Sequence, residues 1–136
     1  MLRNVLILCT GNSCRSIIAE ALINKELNKY DIKAYSSGVK ASSKVNPNAK
    51  KVLEDNNCWR DEYHSKIIEN VINIDYNLIV TVCDNAKESC PVFPKKSKII
   101  HIGFDDPDGK DYNEFIKIYQ LIKDNLVPII YKELIK

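Results

Sequence analysis

Val5-Leu6-Ile7-Leu8-Cys9-Thr10-Gly11-Asn12-Ser13-Cys14-Arg15-Ser16 runs from an unbroken apolar segment into a Gly/Asn/Ser loop and on into a helical pattern. An apolar run of this length, with no polar alternation, suits a strand buried on both faces of a parallel sheet. From about Arg15, residues Ile18, Ala21 and Leu22 recur at i, i+3 and i+4, which predicts a helix with Glu20 and Glu26 turned outward. Ser13 is placed to cap it.

The same alternation continues downstream. Residues 32–36 read as a second strand closed by Ser37-Gly38, and a helix over 49–56 follows Pro47. Residues 65–70 read as a short, weak helix. Residues 78–83, rich in β-branched side chains, form a third strand, and 98–102 a fourth. Residues 103–110 are a polar turn cluster holding Asp-Asp-Pro and Asp-Gly. A last amphipathic helix starts near Asp111, spaced from Glu114 like a capping box. Its expected buried stripe is Phe115, Ile118, Tyr119, Ile122, Leu126 and Ile129, with Pro128 kinking or interrupting it. Strand–helix alternation implies an α/β fold with a mostly parallel sheet. In such sheets sites lie beyond the carboxyl ends of strands, beside a topological switch point. Those ends carry Cys9, Cys83 and the pair Asp105-Asp106.

Composition narrows the classes. The 136 residues are read as a single domain, 1–136, with 45% hydrophobic and 28% charged residues, which disfavours disorder. A net charge of +2 gives no case for nucleic acid or an acidic membrane as partner. No apolar stretch approaches the roughly 20 residues that span a bilayer. The run 5–9 is too short for a signal-peptide core. The expectation is a soluble, unsecreted, cytoplasmic monomer. Five cysteines, an odd number, without a signal sequence argue against a disulfide framework.

The first loop has the makings of an oxyanion cradle. Gly11 and Asn12 tolerate left-handed backbone angles, so the loop can curl and turn successive N–H groups of Thr10, Gly11, Asn12, Ser13 and Cys14 inward as an anion nest. The helix N-terminus adds partial positive charge. Arg15, one of only three arginines, offers a planar fork to two oxygens of a tetrahedral anion. Cys9 at the base of that field is expected as a thiolate nucleophile. Cysteines so placed fall from about 8.5 to roughly 3.5–7.5. Ser16 is positioned to hydrogen-bond the sulfur. The bland alternative is a strand–helix turn with a buried cysteine. The Gly-Lys-Ser/Thr ending of a nucleotide loop is missing.

A group leaving a tetrahedral oxyanion needs a proton. Asp106, on an arm after the fourth strand and held extended by Pro107, is the candidate general acid; a plain Asp-Pro turn is the alternative.

Together these motifs resemble the low-molecular-weight protein tyrosine phosphatase superfamily, and within it the thioredoxin-coupled arsenate reductases. The residues that carry the likeness are 9–16, Ala19-Glu20, Tyr35-Ser36-Ser37-Gly38, Asn46-Pro47, His64-Ser65, 80–83, Cys90-Pro91, and 103–107 with Gly109-Lys110. The resemblance implies a three-layer sandwich, a four-stranded parallel sheet with helices on both faces. It implies that Cys9 adds to arsenate with loss of water, helped by Asp106. Cys83 then attacks Cys9 and expels arsenite. Cys90 attacks Cys83, and thioredoxin reduces the Cys83–Cys90 disulfide. Phosphate or sulfate would bind as analogues. No cofactor and no metal are expected. Cys83 and Cys90 stand seven positions apart. In a regular helix that is about 10.5 Å, beyond the roughly 6.8 Å a disulfide spans, so a helical 84–89 would have to unwind on oxidation.

The chain departs from the family at one place. Reductases of this branch often carry an Asp soon after His-Ser/Thr, completing a potassium site whose other members would be Asn12, Glu20 and Ser36. Here Lys66 follows His64-Ser65. Either its ammonium fills the cation's place or it points to solvent, and no bound potassium is expected. Cys58 reads as buried filler, and the Cys14 side chain as packed. The competing enzyme is a tyrosine phosphatase working through a Cys9 phospho-enzyme. Asp108-Gly109-Lys110 after Asp-Pro lacks the aromatics such enzymes usually place there. A thiolate metal site on Cys9, Cys14, Cys83 and Cys90 is disfavoured by spacing and by Arg15. A binding module without turnover is disfavoured by Asp106 and the second cysteine pair.

Overall fold

Arg3–Cys9 form β1, and the apolar run at 5–9 is buried throughout, as a strand enclosed on both faces requires. The computed structural model describes residues 2–40, 44–83 and 97–135. β2 (Ile32–Gly38) pairs with β1 in parallel, from Arg3 opposite Ile32 to Cys9 opposite Gly38. On the other side of β1 lies β3 (Leu78–Thr81), followed by β4 (Lys98–His101). The order β2-β1-β3-β4 makes a four-stranded parallel sheet. The chain leaves β1 to one side and returns to the other, so the switch point falls between β1 and β3. Their carboxyl ends carry Cys9 and Cys83.

The ladder continues past the assigned strands. Val82 N–H donates to Leu8 O (2.9 Å), Ile102 N–H to Thr81 O (2.9 Å) and Phe104 N–H to Val82 O (3.1 Å). These bonds bring Cys83 alongside Cys9 and aim the 104–106 arm over the same edge.

α1 (Arg15–Glu26) packs on β1 and β2 and is itself covered by α2 (Pro47–Asp55), α3 (Tyr112–Leu121) and α4 (Val127–Ile135). Arg15 through Asn24 are therefore all buried. This corrects the expectation for Glu20, which is only 6% exposed. A helix enclosed on every side has no outward face. α2 begins as predicted, with Pro47 in its first turn and Asn46 as N-cap, Oδ1 accepting from Asn48 N–H at 2.8 Å. Ser13 does not cap α1; Cys14 is the N-cap residue and makes no side-chain cap. The predicted helix at 65–70 reduces to the 3₁₀ turn Ile68–Asn70. Asp111 caps α3, its Oδ1 accepting from Glu114 N–H.

Pro128 shapes the last helix without breaking it. A π turn, Ile122–Leu126, lies between α3 and α4. The wider turn takes up the crowding that the proline ring imposes on the preceding carbonyls. It also shifts the phase of everything after it. Phe115, Ile118, Tyr119, Ile122 and Leu126 are buried as predicted, but Ile129 is 37% exposed and Ile130 is fully buried in its place. Among the described residues no helix is long and apolar enough to cross a membrane.

Candidate active site

The cradle is built by spending the loop's carbonyls outward. Cys9 O accepts from Val39 N–H (3.0 Å), Thr10 O from Lys40 N–H (2.9 Å), Ser13 O from Asn46 N–H (2.9 Å) and Cys14 O from Ile18 N–H (2.9 Å). Gly11 O accepts from Ser65 Oγ (3.0 Å). No peptide among the described residues is cis. In a trans peptide the N–H points opposite to the carbonyl before it. The N–H groups of Thr10, Gly11, Cys14 and Arg15 therefore face the other way, and these residues line a cavity of about 220 Å³. Its walls are Cys9, Thr10, Gly11, Ser13, Cys14, Arg15, Asp106 and Asp108.

Two residues hold this curl. Asn12 takes the left-handed turn, with φ of 51°; Gly11, allowed the same freedom, does not use it. The fully buried Asn12 side chain donates from Nδ2 to Ser16 Oγ (2.8 Å) and Ser36 Oγ (2.9 Å), and its Oδ1 accepts from Lys66 N–H (2.8 Å). Gly38 lets β2 approach: a Cβ there would sit 2.6 Å from Thr10 O.

Arg15 roofs the cavity. Its Nη1 donates to Phe104 O (2.9 Å), and Nη2 lies 3.6 Å from Asp106 Oδ2. Its Nε–H is buried without a partner. A buried unpaired donor is costly and marks a place where an acceptor belongs. A tetrahedral oxyanion on the loop supplies that acceptor.

Cys9 is 3% exposed at the floor, hydrogen-bonded to Cys83, which is 6% exposed. Thr10 contributes twice: its N–H donates to the Cys9 sulfur, and its Oγ1 is 3.1 Å from Cys83 Sγ. The facing Cys83 sulfur and burial hold the Cys9 thiol well above its ordinary value, against the pull of Arg15 and of Thr10 N–H. The cause of this rise, a facing sulfur, was absent from the expectation of a resting thiolate. The positive end of the loop is present, but a second sulfur and the loss of water outweigh it. Burial likewise pushes Cys14 up to about 11, with Asp108 and Asp106 adding to the rise.

The profile of the low molecular weight phosphotyrosine protein phosphatase family matches residues 4–136. The chain belongs to that family. It is 36% identical over 121 residues to arsenate reductase 1 of Staphylococcus saprophyticus, covering 89% of this chain and 91% of that one. It is 38% identical over 125 residues to an arsenate reductase of Bacillus cereus, covering 91% of each. The crystal structure of arsenate reductase from Archaeoglobus fulgidus superposes with a TM-score of 0.77 at 28% identity, covering 93% of this chain and 98% of that one. The protein is an enzyme of the phosphatase family whose curated relatives include arsenate reductases.

Within that family frame, the structure gathers Cys9, Arg15, Cys83 and Asp106 at one sheet edge. Ser16 is fully buried and its Oγ accepts from Asn12 Nδ2. Cys90, and with it the Cys83–Cys90 pair and the 84–89 segment, lies outside the described residues. Cys58 is buried apart from the site, its Sγ donating to Asn56 O at 3.5 Å and lying 3.8 Å from Tyr119 Oη. Of the two places open to Lys66, it takes the inner one. Its ammonium donates to His64 O (3.0 Å) and Ser36 Oγ (3.4 Å) and lies 3.6 Å from Glu20 Oε1. Ser36 Oγ donates to the same Glu20 oxygen at 2.6 Å.

The sequence reading missed what Ser65, Asn46 and Asp108 contribute. Asn46 was recognisable as part of the Asn46-Pro47 family match and helix-start signal, with no role in the site. Asp108 entered only as the first residue of the Asp108-Gly109-Lys110 turn, with no role of its own.

Proposed function

We propose that the enzyme reduces arsenate to arsenite by a thiol relay in the cytoplasm. The arsenate oxygens bind the loop N–H groups and the Arg15 fork, which satisfies Arg15 Nε. The Cys9 thiol passes its proton to an oxygen of the bound arsenate, and Cys9 sulfur adds to arsenic as Asp106 protonates the departing hydroxyl, which leaves as water. Cys83 thiolate then attacks Cys9 sulfur. The Cys9–Cys83 bond forms, the sulfur–arsenic bond breaks, and its electron pair stays on arsenic, reducing As(V) to As(III), released as arsenite. Cys90 thiolate displaces Cys9 from Cys83, and the dithiol of thioredoxin reduces the Cys83–Cys90 bond, becoming oxidised itself.

One observation carries this reading: the ladder bond from Val82 N–H to Leu8 O sets Cys83 beside Cys9, where its sulfur faces the Cys9 thiol, with Thr10 Oγ1 3.1 Å from Cys83 Sγ. Phosphate monoester hydrolysis needs Cys9, Arg15 and Asp106 but has no use for a second thiol facing the nucleophile. The names of the relatives support the same choice. The family match and the acid poised over the loop favour hydrolysis of phosphate monoesters as the second reading.

The test follows NADPH consumption with arsenate, thioredoxin and thioredoxin reductase, beside hydrolysis of 4-nitrophenyl phosphate. Cys83→Ser is expected to abolish the first activity and largely spare the second. Equal retention of both sinks the relay.

A further inference from the structure

The arm that carries Asp106 is fastened to the opposite rim of the cavity. One rim is the oxyanion loop with the start of α2 beside it, the other the arm after β4. Asn46 serves both the loop and α2, since its N–H donates to Ser13 O at 2.9 Å and its Oδ1 caps Asn48 N–H at 2.8 Å. Its remaining group, Nδ2, reaches across and donates to Asp108 Oδ1 at 2.8 Å. Asp108 in turn donates its own N–H to Asp106 Oδ1 at 3.0 Å. Asp106 and Asp108 both line the cavity whose floor is Cys9, and both are exposed where Cys9 is buried, so they stand at its mouth.

This contact is well made for a latch. Its acceptor is a carboxylate, which strengthens the bond. The carboxylate rests at the N-terminus of the nine-residue α2, where the helix dipole favours negative charge. Gly109, with φ of 81°, follows directly and gives the arm a turn that few residues adopt. Pro107, buried before it, holds the other side stiff. The bond is also exposed, so it can open.

We propose that the Asn46–Asp108 hydrogen bond closes the mouth over the oxyanion loop, which makes Asp108 a specificity-determining residue. A free tetrahedral oxyanion such as arsenate or phosphate fits beneath the closed latch. A monoester presents its bridging oxygen to Asp106, and the organic group on that oxygen must leave through the space the latch occupies. The closed form thus discriminates against organic esters by the energy needed to part Asn46 from Asp108. The inference rests on the reading of the site as a small-oxyanion centre.

The test measures binding of inorganic phosphate and of phenylphosphonate by calorimetry, a readout that needs no arsenate turnover and stands whether or not arsenate is reduced. Asp108→Ala is expected to shift the ratio of affinities about tenfold toward phenylphosphonate and to raise kcat/KM for 4-nitrophenyl phosphate by a similar factor. Asp108→Asn keeps an oxygen acceptor for Asn46 Nδ2 and should hold the ratio within about threefold of the wild type. An unchanged ratio in Asp108→Ala overturns the latch. So does an equal shift in both variants, which would assign the effect to charge alone. A wild type that binds neither anion also overturns it.

Discussion

Lys66 and Glu20 meet in the buried space behind the oxyanion loop, Nζ to Oε1 at 3.6 Å, with side chains only 10% and 8% exposed. Burial raises the Glu20 carboxyl above its ordinary range, and Lys66, then Ser36, pull it back. The pair braces Ser36 and, through the Lys66 N–H, Asn12, whose left-handed turn sets the loop.

Lys66→Met should therefore cost stability in a pH-dependent way. Removing one partner of a buried pair costs about 3–5 kcal/mol when the other must stay charged. Between about 4.3 and its raised folded value Glu20 binds more proton folded than unfolded, so its contribution falls as pH rises through that window. Without Lys66 that window widens upward. Urea melts should show a larger deficit for Lys66→Met at pH 8 than at pH 5. A deficit independent of pH would refute the pairing. Exchanging sodium for potassium at constant ionic strength should leave wild-type melting unchanged, since the Lys66 ammonium lies against Ser36 Oγ and Glu20 Oε1.

What was legible in the sequence was local. The run at 5–9, the Gly-Asn loop and the capped helix starts each follow from a few adjacent residues, and they placed Cys9, Arg15 and Asp106 at one sheet edge by chain order. What was hidden depends on contacts distant in sequence. The sign of the Cys9 shift is set by a sulfur at position 83, and Thr10 meets that same sulfur across 73 positions. Glu20 was expected outside because its polarity, not the enclosure of α1, was visible. No pattern in the chain announced the direction of the Lys66 stem.

Cys83→Ala should make Cys9 more reactive. The facing Cys83 sulfur is the largest influence raising the Cys9 thiol, ahead of burial, and Arg15 opposes both. Removing it leaves the lowering influences in place, so the inflection of the Cys9 alkylation rate should move to lower pH. Iodoacetamide labelling followed by peptide mass spectrometry reads this residue by residue. Phosphate should protect Cys9 in both proteins. A pH profile unchanged by Cys83→Ala would show that the two thiols do not communicate.

The π turn makes a sharp contrast between neighbours. Ile130→Ala removes a fully buried side chain and should cost about 2–5 kcal/mol, while Ile129→Ala, at a site 37% exposed, should cost under about 1 kcal/mol. A straight α-helix through 122–126 predicts the reverse order. Denaturant midpoints of the two variants decide it.

Gly38→Ala tests how far the cradle depends on close approach of β2. The added Cβ would lie 2.6 Å from Thr10 O, 3.1 Å from Asn12 N and 3.1 Å from the Gly11 carbonyl carbon, all backbone atoms that cannot rotate away. The loop must move as a body, and overpacking of this kind costs about 1–3 kcal/mol. Displacing Thr10 and Asn12 also rotates the N–H groups that converge on the cavity. Phosphate affinity should therefore fall by more than the stability loss explains, at least tenfold at a temperature where the variant is fully folded. Calorimetric titration at that temperature checks it. A folded Gly38→Ala that binds phosphate as the wild type does would mean that the amides of the loop are not the anion's principal ligands.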